Sequence, residues 1–277
     1  MTAHDADMGV NGPYRMPFGD KDYTAPSVFR PENLLREARR QKRRLTDSIP
    51  EICVLDPDGD LVRLLRTEGR AQLCPTWACY HTDLYRFEHE GERFGVLGCA
   101  VGASFAVLVA EQMFASGCGL LVSITSAGQV QQTGPTPYFI LINRALRDEG
   151  TSHHYLPPAL FAAADPALMA PIMAAATATS LTVFEGTTWT TDAPFRETQA
   201  AIDQARGHGA LAVEMEAAAL YAFARARNKP VVCFAHVTNQ MAQIEGDFEK
   251  GEGNGAHDAL TLLAATARAW RALERSS

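Results

Sequence analysis

The sequence predicts an α/β domain whose mainly parallel sheet is covered by helices on both faces. Short apolar runs such as 119–128 and 229–239 read as strands buried on both sides. Longer stretches of Ala, Leu and polar residues, such as 103–117 and 216–228, read as helices. Strand and helix alternate from residue 51 to the C-terminus, as in a crossover-connected sheet. At 277 residues the chain suffices for one large domain, and no repeat or linker divides it.

Taken in order, residues 1–30 mix Gly, Pro, Asp and aromatics without a period and read as an arm. Residues 31–46 read as a helix with Pro31 in its first turn, and the basic run Arg36 to Arg44 as its solvated face. This divides the chain into an arm with a helix over 1–48 and a domain over 49–277. EICVL (51–55) is a strand, DPDGD a turn, and LVRLLRTEG a helix stopped by Gly69. Residues 94–102 form a strand entering a Gly turn, and 103–117 a helix ending at Gly117. Residues 119–128 form a strand running into a small-residue loop. A strand opens 138–150, a helix covers 166–179 and a strand 180–186. Then come strand 211–215, helix 216–228, strand 229–239 and helix 255–277.

A formal net charge of −7 argues against generic nucleic-acid binding, which needs a basic face. No apolar run is long enough to span a membrane, and the polar N-terminus lacks a secretory pattern. The six cysteines are scattered, which suits a reducing cytoplasm better than a disulfide scaffold. Cys74, Cys79 and His81 are the one cluster with ligand character. Their C-x4-C-x-H spacing fits no common zinc pattern, so they read as small buried side chains and no metal is expected.

Ligands of such sheets bind at the carboxyl ends of strands, which selects 98–104, 123–129, 214–216 and 237–241. Within that set, Glu214-Met215-Glu216 places two carboxylates at the junction of a buried strand and a small-residue helix. A buried carboxylate needs donors. The helix dipole accounts for Glu216 but not for Glu214, and a polyhydroxylated ligand would supply donors to both.

VEMEAAALYAFA (213–224) resembles the signature of the purine nucleoside and uridine phosphorylase superfamily. GCGLLVSITSAGQV (117–130) resembles its central strand and phosphate loop, and ALRDEGTSHHYLPP (145–158) a segment of its uridine-phosphorylase-like members. TTWTTDAPFRETQ (187–199) resembles another such segment, and DPDGDLVRLL (56–65) stands where the family carries a Gly-Asp-Pro turn. The match runs in the family's order over roughly residues 50 to 275. The resemblance implies a three-layer α/β sandwich around a central mixed, partly closed sheet. It implies cleavage of the N-glycosidic bond between a base and ribose, with no organic cofactor and inorganic phosphate as co-substrate. It also implies a dimer-based homo-oligomer. Glu216 would grip the ribose 2′ and 3′ hydroxyls and Met215 would pack under the sugar. Glu214 would be a second catalytic carboxylate, a ribose contact, or a hydrogen-bonded strand end. The carboxylate at the hydroxyls would stabilise the oxocarbenium-like charge that builds on the sugar.

The phosphate end departs from the family. Leu55 replaces the turn glycine, the next arginine falls near Gly59 or Asp60, and the central-strand arginine falls at Ser123. Ser126 keeps a hydroxyl at the phosphate-binding threonine, and Gly98, Gly102 and Ser104 surround a helix start able to present N–H groups to an anion or water. Arg63, Arg66 and Arg86 are further cations. For hydrolysis, His81, Asp83 and Glu214 are candidate bases. At the base end, Thr238-Asn239 replaces the Ser-Asp of many purine-cleaving members. Asn239 offers hydrogen bonds but no full proton, which favours a pyrimidine or a 6-oxopurine; a strand-capping turn is its alternative role. Phe195 would stack on the base and Arg196 would bond a carbonyl, or pair with Asp192 or Glu197. The leading expectation is phosphorolysis of a nucleoside. Hydrolysis by water is the first alternative, and binding without turnover the second.

Overall fold

The structure, a computed structural model, describes residues 21–241 and 245–276. Most of the expected arm (1–20) lies outside them. Helix α1 (Pro31–Lys42) starts on Pro31 and ends at Arg43, whose φ of 51° leaves the helical region. Strand β1 (Ile52–Asp56) and helix α2 (Asp60–Thr67) follow, then β2 (Gln72–Leu73), β3 (Tyr85–His89) and β4 (Glu92–Gly98). Helix α3 (Ala103–Ala115) leads into β5 (Leu120–Gln129), β6 (Tyr138–Asp148) and β7 (Phe161–Ala163). Helix α4 (Pro166–Thr177), β8 (Val183–Thr191), α5 (Gln199–Gly207) and β9 (Ala210–Glu214) come next. Helix α6 (Ala217–Arg227), β10 (Val231–Asn239) and α7 (Ala256–Ser276) complete the chain.

The sheet is mixed, as the family resemblance implies and in place of the mainly parallel sheet read from the strand and helix pattern alone. β1 pairs in parallel with β4 and β5, β10 with β5, and β8 with β6 and β9. β10 pairs antiparallel with β6, β5 with β9, β6 with β7, and β3 with both β2 and β4. The pairings β5–β10–β6–β8–β9 return to β5, because Gly128 and Gln129 at its end meet Val213 and Ala212. The sheet therefore partly closes into a barrel, from which β1, β4, β3 and β2 extend as an open wing. Helices α3 and α6 cover one face in a core with Leu55, Leu121 and Cys233. Helices α2, α4 and α7 cover the other around Val54, Val122 and Phe234. α1 docks through Leu35 and Ala38 onto Ala78 and Ala115.

Tyr221 of α6 ties the barrel together. Its buried hydroxyl donates to Ile142 O of β6 at 2.5 Å and accepts from Cys233 N of β10 at 3.1 Å. The direct β6–β10 register ends one residue earlier, at Phe234 opposite Leu141, so the phenol occupies the next rung. Among the described residues no helix is long and apolar enough to cross a membrane.

Candidate active site

β9 ends at Glu214 and α6 begins at Ala217, so the two glutamates straddle the strand-to-helix turn. Their roles differ. Glu214 Oε2 accepts from Glu216 N and Ala217 N, both at 2.7 Å, and so satisfies orphan donors at the helix start. Its Oε1 accepts from Thr188 Oγ1 at 3.0 Å and from Thr190 Oγ1, whose oxygen in turn accepts from Ala218 N at 3.0 Å. Glu214 thus sits as a hydrogen-bonded strand end, both oxygens turned to protein donors. Burial raises its pKa, opposed by these bonds.

Glu216 reaches away from its own helix. Oε1 accepts from Gly102 N at 2.6 Å, and Oε2 accepts from Thr125 Oγ1 at 2.9 Å and Met215 N at 3.2 Å. Burial, and secondarily the charge of Glu214, push its pKa up to about 7. A carboxylate has about four lone-pair directions, so one on Oε1 is still available to a hydroxyl donor. Met215 is half-buried, and a Cβ built on Gly102 would lie 4.0 Å from its Cε. Glu216 and Met215 therefore meet the loop before α3, beside Thr125 of β5.

The next residue, Ser126, leads to a different chemistry from that of a phosphate site. Ser126 Oγ donates to Asp58 Oδ1 at 3.0 Å. Lys250 Nζ donates to Asp58 Oδ2 at 2.9 Å and to Asp60 Oδ2 at 2.7 Å. Asp60 Oδ1 accepts from Arg63 Nη2 at 2.6 Å and Asn254 Nδ2 at 3.3 Å. Asp56 Oδ2 accepts from Val62 N at 2.9 Å, and burial drives that carboxyl up to about 7. These carboxylates line a cavity of about 30 Å³ with Thr125, Ser126, His236 and Asn254.

The other expected phosphate contacts are spent elsewhere. The Gly102 N–H serves Glu216. Gly98 is a packing residue, since a Cβ there would come within 3.2 Å of Gly59 Cα. Ser104 is exposed on the first turn of α3 and does not line the cavity. Arg63 is paired with Asp60, Arg66 lies over the Tyr85 ring, and Arg86 is exposed on β3. Of the candidate bases, His81 and Asp83 are exposed on a loop outside the cavity wall.

At the base end, Asn239 Oδ1 accepts from Met241 N at 2.8 Å and Nδ2 donates to Thr238 Oγ1 at 3.0 Å. The residue thus caps the end of β10, and its second amide hydrogen has no partner among the described residues. Phe195 and Arg196 sit on the surface turn Pro194–Arg196, where Phe195 is 99% exposed. They face outward, and neither lines the cavity. Cys74 and Cys79 are buried while His81 is exposed, so that trio does not converge.

Sequence reasoning missed Asp56, Asp58, Asp60, Thr125, His236 and Lys250. D-P-D-G-D at the end of a buried strand was a usable signal, as was a histidine inside the apolar run of β10.

A family model described as the phosphorylase superfamily matches residues 51–272. No curated protein matches the chain in sequence. Among solved structures, an AMP nucleosidase from Bacteroides thetaiotaomicron is 20% identical with a TM-score of 0.68, covering 89% of this chain and 99% of its own. Uridine phosphorylase from Vibrio fischeri, complexed with 6-hydroxy-1-naphthoic acid, is 20% identical with a TM-score of 0.66, covering 82% of this chain and 92% of its own. These identities speak to the fold.

Proposed function

Because the chain belongs to the phosphorylase superfamily, we propose that it cleaves the N-glycosidic bond of a nucleoside and uses water as the nucleophile. Both a phosphorylase and a nucleosidase share this fold, so the fold does not choose between the two routes. The wall beside Ser126 favours one. A phosphate there would face Asp56, Asp58 and Asp60, while Lys250 and Arg63 are already engaged by those carboxylates. An anion bearing one to two charges gains little from cations that are already paired, and is repelled by the carboxylates. Water suits the same wall, because carboxylates accept its hydrogens and its proton.

In this reading the ribose lies over Met215, with its hydroxyls donating to Glu216. As the glycosidic bond breaks, its electrons leave on the base nitrogen. The water oxygen bonds to the anomeric carbon, and the water's proton passes to a carboxylate of the wall. Glu216 stabilises the positive sugar. The second amide hydrogen of Asn239 suits a base whose leaving charge spreads onto oxygen, a pyrimidine or a 6-oxopurine. The dimer-based assembly would cover apolar residues near the site, such as Val101 and Leu108, which are 51% and 42% exposed.

The test is chromatography of products from uridine, thymidine, inosine, guanosine and adenosine, with and without inorganic phosphate. Free base and free ribose at equal rates under both conditions support hydrolysis. Ribose 1-phosphate formed only with phosphate overturns it. Ligand-induced thermal shifts without turnover would identify a binding protein.

A further inference from the structure

His236 is an oddity of the wall. It lies within β10, is 6% exposed and stacks on Phe139 with ring centroids 4.5 Å apart. A Cβ built on Gly255 would fall 2.2 Å from its Cε1, so the ring fills the space beside that glycine. The ring lines the cavity, yet its buried Nε2 has no hydrogen-bond partner among the described residues. A buried polar atom without a partner is costly, and one facing a polar cavity is normally met by water or ligand.

Asp56 stands beside it in the same cavity. It is 6% exposed. Its Oδ2 holds Val62 N, while Oδ1 takes no hydrogen bond from the described residues. Asp58 and Asp60 differ, since each has both oxygens engaged by Ser126, Lys250, Arg63 or Asn254. The cavity volume of about 30 Å³ is room for roughly two waters.

We propose that this cavity holds the nucleophilic water, with His236 orienting it and Asp56 accepting its proton. The inference rests on the hydrolytic reading above. Burial, and after it the charge of Lys250, push His236 down to about 4, so its ring is neutral at pH 7. We assign its proton to Nδ1, which leaves the Nε2 lone pair for one water hydrogen. The second water hydrogen goes to Asp56 Oδ1, and an oxygen lone pair then remains for the anomeric carbon. Forming the C–O bond releases that second hydrogen as a proton to Asp56, while the glycosidic electron pair leaves with the base. Asp56, raised to about 7 by burial and the charges of Asp58 and Asp60 against Arg63, is matched to accept a proton near neutrality.

The test uses the full chain and the nucleoside it turns over best. Asp56→Asn keeps the acceptor for Val62 N and removes the base. It is expected to lower kcat by about 100-fold or more, with KM within about twofold. His236→Leu should lower kcat about 30-fold with KM and ligand-induced thermal shift preserved, and His236→Gln, which retains an acceptor, should recover most of the loss. Unchanged kcat in Asp56→Asn and His236→Leu overturns the inference. So does equal damage in His236→Gln and His236→Leu accompanied by a raised KM, which marks a packing residue. Failure of the hydrolytic reading shows separately, as phosphate-dependent ribose 1-phosphate from the unaltered protein.

Discussion

Replacing Glu214 by Gln separates support from chemistry at the strand-to-helix turn. The amide oxygen of Gln can keep both backbone donors, Glu216 N and Ala217 N, which lie 2.7 Å from Oε2 in the parent. Two charge-assisted bonds become neutral ones, a loss of about 1 kcal/mol each. The new amide group faces the Thr188 and Thr190 hydroxyls, which now donate to Glu214 and would lose their acceptor. That adds about 1–2 kcal/mol. Relief of a buried charge next to Glu216 offsets part of the total. The net expectation is a loss of about 2 kcal/mol, read as a melting temperature lower by roughly 4–8 °C for a chain of this size. Because Glu214 offers its oxygens only to protein donors, kcat should stay within about fivefold of the parent. Calorimetry and steady-state kinetics on the same preparation decide the matter. An unchanged melting temperature with turnover lost by a thousandfold would refute the reasoning and make Glu214 a participant in the reaction.

Glu216→Gln should lower kcat/KM by about 100- to 1,000-fold, because the sugar loses a charged partner worth about 3–4 kcal/mol in the transition state; turnover like the parent's in a nucleoside assay refutes the ribose assignment. Stability should fall as pH rises through 7. Glu216 and Asp56 both titrate near 7 in the fold, above their ordinary 4.5 and 3.8. The native state therefore binds the extra protons, and the stability they bring is complete in acid and lost as pH climbs through 7. His236, held near 4 against an ordinary 6.5, opposes this in acid and equally in both proteins. Melts between pH 5 and 8 should show a shallower decline for Glu216→Gln, and parallel curves would contradict the assignment. Lys250→Met leaves Asp58 and Asp60 facing each other. It should cost about 1–3 kcal/mol at pH 7.5, as chemical denaturation will show.

The E-M-E element and the order of strands and helices were legible because buried strands and small-residue helices leave strong apolar patterns. Strand direction was not. β6, β9 and β10 lie in a closed ring with both faces covered, so their antiparallel pairings lack the alternation that usually betrays them. β2 is two exposed residues, and α5 has only Ile202 and Ala205 buried, with its start marked by the Thr198 cap. D-P-D-G-D read correctly as a turn, but its wall of carboxylates depends on Lys250, which lies 192 residues from Asp58. No local pattern links positions so far apart. Asn239 and Glu214 had two or more readings in the sequence, and the directions of their hydrogen bonds are a tertiary property.

The phenol of Tyr221 has a consequence for how solvent reaches the barrel. The Cys233 amide points at that hydroxyl instead of at a β6 carbonyl. Its hydrogen can exchange with bulk water only when α6 lifts from the sheet. The first turn of α6 is the one pinned by Glu214 and followed from Glu216. A sugar held by Glu216 would therefore also fasten the helix that carries Tyr221. The Cys233 amide becomes a deuterium clock for occupancy, slowing when a nucleoside binds although it touches none.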